Sequence, residues 1–261
     1  MMTKAEGMII RTTDYGETNK IITLYTEEFG KIGLMARGAK KPKSTLSSVC
    51  HVLFYGLCLF NKGRGLGTLY QAESNNSFRS IFSDLDKTAY AALIVELLDR
   101  LTEENQPSPA LFRLLRETLL LIEKGTDASV MAAIFAVKMM RIAGIDPQVD
   151  QCIHCGNQEG PFSFSVAGGG FLCRNCAAAD PHAFPMSGAA ARLFPVFRKV
   201  PVGRIGHVSV RKETIGEIEA ILAACFEQNA GIHLKAMRFI RQLAQFHPQE
   251  DPDRHTSGKD S

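Results

Sequence analysis

Apolar positions in residues 1–75 fall in short runs of β-branched and aromatic residues: "EGMIIRTTDY", "NKIITLYTEEFG", "KIGLMARGAK", "VCHVLFYGLCLFN" and "LGTLYQAES". Gly, Asn or Asp separates most of them, which reads as five strands. Gly30 and the "KGRGLG" segment at 62–67 are the expected hairpin turns. Five short strands suit a small closed barrel, and the five-stranded OB-fold is the commonest of that size. In the fourth run a period of two places Val52, Phe54 and Phe60 on one face and Leu53, Leu57 and Leu59 on the other. Both faces are apolar. One is expected to fill the barrel and the other to pack on a neighbouring domain.

From residue 84 the period changes to that of a helix. "DLDKTAYAALIVELLDRLTEE" is the first such stretch. "SPALFRLLRETLLLIEKG" follows, with Ser108 as N-cap, Pro109 at the first helical position and Gly125 just past the end. "SVMAAIFAVKMMRIAG" repeats the grammar with Ser129, Gly144 and Pro147. These three helices are apolar over much of their surface and predict a bundle core. Helical periodicity returns in "KETIGEIEAILAACFEQNAG" and "IHLKAMRFIRQLAQF". The end of the chain, "PQEDPDRHTSGKDS", lacks apolar residues and predicts disorder. The expected organisation is α+β and multidomain. A five-stranded OB-fold barrel spans 1–78, a helical domain spans 79–149 and 184–247, an insertion spans 150–183, and a tail covers 248–261.

Charge refines this division. The chain carries a net +3, but residues 1–80 hold +5, residues 81–151 hold −4 and residues 152–261 hold +2. A polyanion is therefore expected on the first third. No run approaches the roughly 18 uninterrupted apolar residues of a membrane span. The first residues, "MMTKAEGMIIRTTDYGE", lack a signal-peptide core. A cytoplasmic location is expected, where structural disulfides are rare.

The insertion contains "CIHCGNQEGPFSFSVAGGGFLCRNC", in which Cys152, Cys155, Cys173 and Cys176 form a Cys-x2-Cys-x17-Cys-x2-Cys pattern. Two thiolates on one tight knuckle span an edge of a zinc tetrahedron, and a second knuckle supplies the opposite edge. Gly156 and "AGGGF" give the backbone freedom for those turns. Phe162, Phe164 and Phe171 are too small a core to hold an independent subdomain, so metal binding is expected to supply folding energy. Four thiolates leave no open position for water, which predicts structural Zn2+ rather than catalytic zinc. Two disulfides or a redox CxxC are the weaker readings. His154, inside the first knuckle, is an alternative ligand that four cysteines make unnecessary. Cys50, Cys58 and Cys225 lie in apolar runs and are expected to be packing residues.

"ARGAKKPKS" places Arg37, Lys40, Lys41 and Lys43 within seven positions of a Pro-containing loop. On a barrel whose loops hold oligonucleotides, such a loop contacts phosphates; the plainer reading is a solvated loop. Lys20, Lys31, Lys62 and Arg64 are candidates to extend the patch. Tyr15, Tyr25, Phe29, Tyr55 and Tyr70 are candidate stacking platforms, or simply core. In "GIHLKAMRFIRQLAQF", Lys235, Arg238 and Arg241 recur at three-residue steps on one side of a helix, a cationic face for an acidic peptide or an ordinary solvated one. Arg113, Arg116, Lys138 and Arg141 are rivals for that role.

Taken in order, "GMIIRTTDYGETNKIITLYTEEFGKIGLMARGAKKPKS", "ELLDRLTEE…LFRLLRETLLLI", "AGIDPQVDQCIHCG…GGFLCRNC" and "LKAMRFIRQL" resemble the RecO family of bacterial recombination mediators, over roughly residues 5–247. The four cysteines match its zinc-binding members. The resemblance implies an OB-fold, a helical domain with an inserted zinc ribbon, and no catalysis. It implies binding of single- and double-stranded DNA, annealing of complementary strands, and contacts with RecR and the acidic C-terminal tail of single-stranded DNA-binding protein. The implied outcome is loading of the RecA recombinase, in the cytoplasm and at the nucleoid. Two other classes stay open on the residues alone: an RNA-binding or transcription-associated zinc-ribbon protein, and a protein-only adaptor. A zinc hydrolase is disfavoured, because "KGRGLG" lacks the context of a nucleotide loop and no carboxylate pair with a His is recognisable.

Overall fold

The alternation of β-branched and polar residues in the first third closes a barrel. Strands β1 (Met2–Tyr15), β2 (Asn19–Thr26), β3 (Gly30–Ala36), β4 (Tyr55–Asn61) and β5 (Gly67–Asn76) join in the order β1-β2-β3-β5-β4, and the ring closes between β1 and β4. Within this ring β3 and β5 pair in parallel and the other neighbours antiparallel. This is the topology of an OB-type barrel. The structure is a computed structural model describing residues 2–63, 65–205 and 209–246. Ile9, Ile22, Leu24, Leu34, Phe60 and Leu69 fill the barrel, and Ala39, Leu46 and Cys50 of the segment after β3 belong to the same buried cluster. Gly30 makes the expected turn with φ of 64°; a Cβ there would sit 2.2 Å from the carbonyl oxygen of Gln106. The β2–β3 turn thus lies directly against the helical domain.

The fourth strand departs from expectation. It begins at Tyr55, because Leu53 adopts a left-handed φ of 69° and breaks the alternation. Phe54, Cys58 and Phe60 enter the barrel as the pattern required. Val52 instead packs with Leu53 and Tyr55 against the helical core. Leu57 and Leu59 are half-buried and belong to neither core.

Among the described residues seven helices follow: α1 (Arg79–Phe82), α2 (Leu85–Leu101), α3 (Pro109–Glu123), α4 (Ala128–Ile142), α5 (Gly188–Lys199), α6 (Lys212–Ala230) and α7 (Lys235–Phe246). Eleven of the fifteen α4 residues are buried, so this helix is the axis around which the others pack. Ser108 caps α3 as expected, accepting from the Leu111 N–H. The cap of α4 is Asp127 rather than Ser129: its carboxylate accepts from the Ser129 and Val130 N–H groups, and Ser129 donates its hydroxyl to the same oxygen. Helix α5 is absent from the sequence expectation. Pro195 lies inside it and masks an otherwise apolar face of Ala190, Phe194 and Phe197.

One apolar core crosses every division. Met8, Ile10 and Tyr25 on the outer face of the barrel, the inner faces of α2 to α7, and Phe164 and Phe171 of the insertion form a single cluster. Tyr25 stacks on Phe112 with ring centroids 6.5 Å apart. The three phenylalanines of the insertion, too few for an independent core, are completed by the bundle: Phe164 meets Phe194, and Phe171, edge-on to Phe164, belongs to the same cluster.

A polar clamp sits at the seam between barrel and helices. Lys31 donates to the backbone carbonyl of Asp99 at 2.6 Å and pairs with its carboxylate at 3.5 Å; their side chains are 11% and 14% exposed. Arg11 approaches the other carboxylate oxygen at 3.4 Å. Lys31 is therefore no part of a free cationic surface, because the helical domain covers it and supplies its counter-charge. Replacing Lys31 by Met leaves Asp99 largely buried with one fewer partner, and the expected loss of folding stability is about 2–4 kcal/mol. Equilibrium denaturant unfolding monitored by circular dichroism checks it; a variant as stable as wild type would remove the clamp.

Candidate metal centre and nucleic-acid interface

The insertion is held by a three-stranded sheet, β7 (Gly170–Cys173), β6 (Phe162–Ser165) and β8 (Phe184–Pro185), in that spatial order. Two tight turns present the cysteines. In the first, Gly156 takes a φ of 72° and its N–H reaches the Cys152 carbonyl at 3.0 Å. In the second, the Cys176 N–H bonds the Cys173 carbonyl at 2.9 Å. Gly170 has no room for a side chain: a Cβ would stand 2.3 Å from the Gln148 carbonyl oxygen, where the Phe171 N–H bonds at 2.9 Å. The ribbon is thus sewn to the segment following α4.

All four sulfur atoms lie within 4.8 Å of one another, and Cys155 and Cys173 are 3.6 Å apart. A tetrahedron with metal–sulfur bonds of about 2.3 Å has edges of about 3.8 Å. The residues present fit a metal ion. Their electrostatics points the same way. Burial opposes ionisation of Cys152, yet the Cys173, Cys155 and His154 backbone N–H groups outweigh it and bring that thiol down to about 6. The hydrogen bond that the Cys176 thiol donates to Cys155, together with burial and the neighbouring sulfurs, pushes Cys176 up to about 12. One thiolate forms readily, and it opposes the next. Four thiolates at this separation need a cation among them. Cys152 and Cys173 are buried, Cys176 is half-buried and Cys155 is exposed. His154 is exposed and lies outside the cluster.

The expected basic patch divides. Arg37, Lys41 and Lys43 are exposed beyond the end of β3. Lys40 pairs with Asp14 of β1 at 2.8 Å, and its ammonium holds that carboxyl below the usual carboxylate range. Its backbone N–H bonds the Thr18 carbonyl at 2.9 Å, and the Gly38 N–H bonds the Asn19 side chain at 2.8 Å. The loop is therefore tied to the β1–β2 hairpin. Lys20 is half-buried beside it and donates to the Cys50 carbonyl at 3.1 Å. Lys62 lies at the opposite end of the barrel, 5.1 Å from the Phe29 ring centroid. Arg64 lies outside the described residues. Lys31 is buried at the seam, as above. Of the aromatic candidates, Tyr25 and Tyr55 are buried, and Phe29 packs edge-on to Phe60. Tyr15 and Tyr70 stay exposed, at 54% and 49%.

Lys235, Arg238 and Arg241 line a groove of about 500 Å3 beside the start of α7, floored by Ile232, Leu234 and Met237. Glu96 of α2 accepts from the Lys235 and Ala236 N–H groups and so fixes the start of that helix. Arg100 joins the same groove from the end of α2. The sequence reading missed it, because no periodicity links it to residues more than a hundred positions away. Among the rivals, Lys138 is half-buried and donates to the Arg198 carbonyl.

These features define a class: an OB-type barrel with an exposed basic loop, carried on a helical domain with a four-cysteine ribbon. Two family models match the chain, "Recombination protein O N terminal" over residues 1–78 and "Recombination protein O C terminal" over residues 82–238. The chain belongs to the RecO family. It is 48% identical to DNA repair protein RecO of Bacillus pumilus and 46% identical to that of Bacillus subtilis, each over 243 residues, 93% of this chain and 95% of the relative. It is 43% identical to the RecO of Halalkalibacterium halodurans over 251 residues, 95% of this chain and 99% of the relative. No described helix is long and apolar enough to cross a membrane.

Removing one sulfur opens the tetrahedron. Cys173→Ser is expected to lower bound metal from about one equivalent to near zero and to lower the melting temperature, as read by elemental analysis and calorimetry. Metal content equal to wild type would exclude Cys173 as a ligand.

Proposed function

We propose that this protein is a non-enzymatic mediator of DNA repair and recombination. It binds single- and double-stranded DNA, anneals complementary strands and, with RecR, helps load RecA onto strands coated by single-stranded DNA-binding protein. The observation that carries this reading is the exposed Arg37, Lys41 and Lys43 segment fastened to an OB-type barrel in a RecO-family chain. Annealing requires the phosphate repulsion between two strands to be screened while base edges stay free. Lysines on a loop do this without reading sequence, and the affinity falls steeply with salt. The reading involves no covalent step.

The groove at α7 is the proposed seat for the acidic tail of single-stranded DNA-binding protein. Arg100, Lys235, Arg238 and Arg241 supply positive charge above an apolar floor, which suits a peptide with carboxylates beside an apolar end. The ribbon metal is proposed to be zinc. Zinc has no geometric preference of its own and takes four thiolates as a closed structural set. Cys152, Cys155, Cys173 and Cys176 would hold it, and it would brace the ribbon against α5.

Annealing of strands coated by single-stranded DNA-binding protein, followed across a salt series, tests the function. The triple variant Arg37→Ala, Lys41→Ala, Lys43→Ala, which leaves the Lys40–Asp14 pair in place, is expected to bind DNA several-fold more weakly. Its log affinity should also fall less steeply with log salt, by about 0.7–0.9 for each phosphate that it leaves without a cation. Annealing equal to wild type at matched salt would refute the loop assignment. Arg238→Ala with Arg241→Ala is expected to weaken binding of an acidic peptide ending in Phe several-fold in fluorescence anisotropy and to leave naked-DNA affinity intact. Unchanged peptide affinity would free the groove of this role.

A further inference from the structure

The strand register assembles a row that the primary sequence scatters. Lys20 pairs with Ala36 and Ala36 with Leu69, the last pairs of their ladders, so one step further out Asn19 of β2, Arg37 just past the end of β3 and Tyr70 of β5 follow one another across the barrel rim. Tyr15 of β1 pairs with Asn19 and completes the row. Ile22, Leu34, Ala36 and Leu69 face the barrel interior, so Asn19 and Ile21 face out; Arg37, past the end of β3, and Tyr70, at the bulge between Leu69 and Gln71, are exposed on the same rim. The next row inward on that outer face includes Ile21 and Met35, both half-buried. Neither row contains a carboxylate. The helical domain covers the outer face only further along, where Tyr25 meets Phe112 and Lys31 meets Asp99. What remains is an open face with a tyrosine at each edge, an arginine between them and apolar side chains beneath. Three strand spacings separate the tyrosines by about 14 Å.

We infer that Tyr15 and Tyr70 are base-stacking platforms for single-stranded DNA, with Arg37 gripping the intervening sugar–phosphate chain. The inference rests on the DNA-binding reading above and adds a strand preference to it. A ring exposed on a sheet surface pairs its π-face with an unstacked base, which a duplex does not offer. Charge complementarity favours this occupant: Arg37 belongs to the row, and Lys41 and Lys43 project from the loop that leaves it. Asn19 holds the loop start through the Gly38 N–H at 2.8 Å, so Arg37 is positioned by fixed backbone.

The chain contains five tyrosines and no tryptophan, so its intrinsic emission is a direct readout. Of the five, only Tyr15 and Tyr70 are exposed. Titrating the full chain with oligo-dT should quench tyrosine emission, and a duplex of equal length should quench it less. The double variant Tyr15→Ala, Tyr70→Ala is expected to lose about thirtyfold or more in single-strand affinity and most of the quenching. Its duplex affinity and salt slope should change by less than about twofold, because stacking carries no phosphate charge. Tyr15→Phe with Tyr70→Phe keeps both rings and should retain wild-type affinity, which separates stacking from hydroxyl bonding; circular dichroism of every variant confirms folding. If wild type binds DNA with salt-sensitive affinity and the alanine variant binds single strands equally well, the inference is overturned and the face is left to a protein partner. If wild type binds no DNA at all, the proposed function itself fails, and the inference with it.

Discussion

The seam between barrel and bundle is the constraint on which the rest depends. A five-stranded barrel needs only its interior filled, yet here Met8, Ile10, Tyr25, Leu53 and Tyr55 present a second apolar surface outside it. Leaving that surface in water would be unfavourable by roughly 25 cal/mol for each Å2 of apolar area. The helical domain covers it; Lys31 and Asp99 satisfy each other across the same contact, while the Tyr25 hydroxyl is buried there without a hydrogen-bond partner among the described residues. Because one half of the outer face is used in this way, the basic loop and the Tyr15–Arg37–Tyr70 row are confined to the other half.

The ribbon depends on a different balance. Its four sulfurs are crowded, and ionising one opposes ionising the rest. Such a cluster is a poor arrangement of thiols and a good one of metal ligands. Its aromatic residues pack among themselves, Phe162 stacked on Phe171 and Phe164 edge-on to it, but three rings make only a small core. They reach into the bundle, where Phe164 meets Phe194 of α5. The ribbon and α5 therefore hold each other in place.

Cationic residues in this chain serve two ends, and the difference is made by what surrounds them. Lys31 and Lys40 belong to the same basic third of the sequence. One is buried against a helix it does not neighbour in sequence, and the other faces a carboxylate across the rim of the barrel. Arg37, Lys41 and Lys43 keep their exposure. Excess charge in a segment thus predicts where cations concentrate, while neighbours from other strands and helices settle which of them are available.

The five strands, helix α2, the Ser108-capped helix α3 and the cysteine ligand pattern were all legible in the sequence, because each is written in contiguous residues at a fixed period or spacing. The cap of α4 and the start of β4 were misread where local grammar offered two answers: Asp127 competes with Ser129, and a left-handed Leu53 reverses an alternation that looks continuous. Helix α5 was hidden by a proline that the bundle tolerates. Strand register, the burial of Lys31, the joining of Arg100 to α7 and the row across the barrel rim were decided only by the tertiary structure. These depend on residues far apart in sequence. A one-dimensional period determines which face a side chain takes, but chain closure and domain packing determine what that face meets.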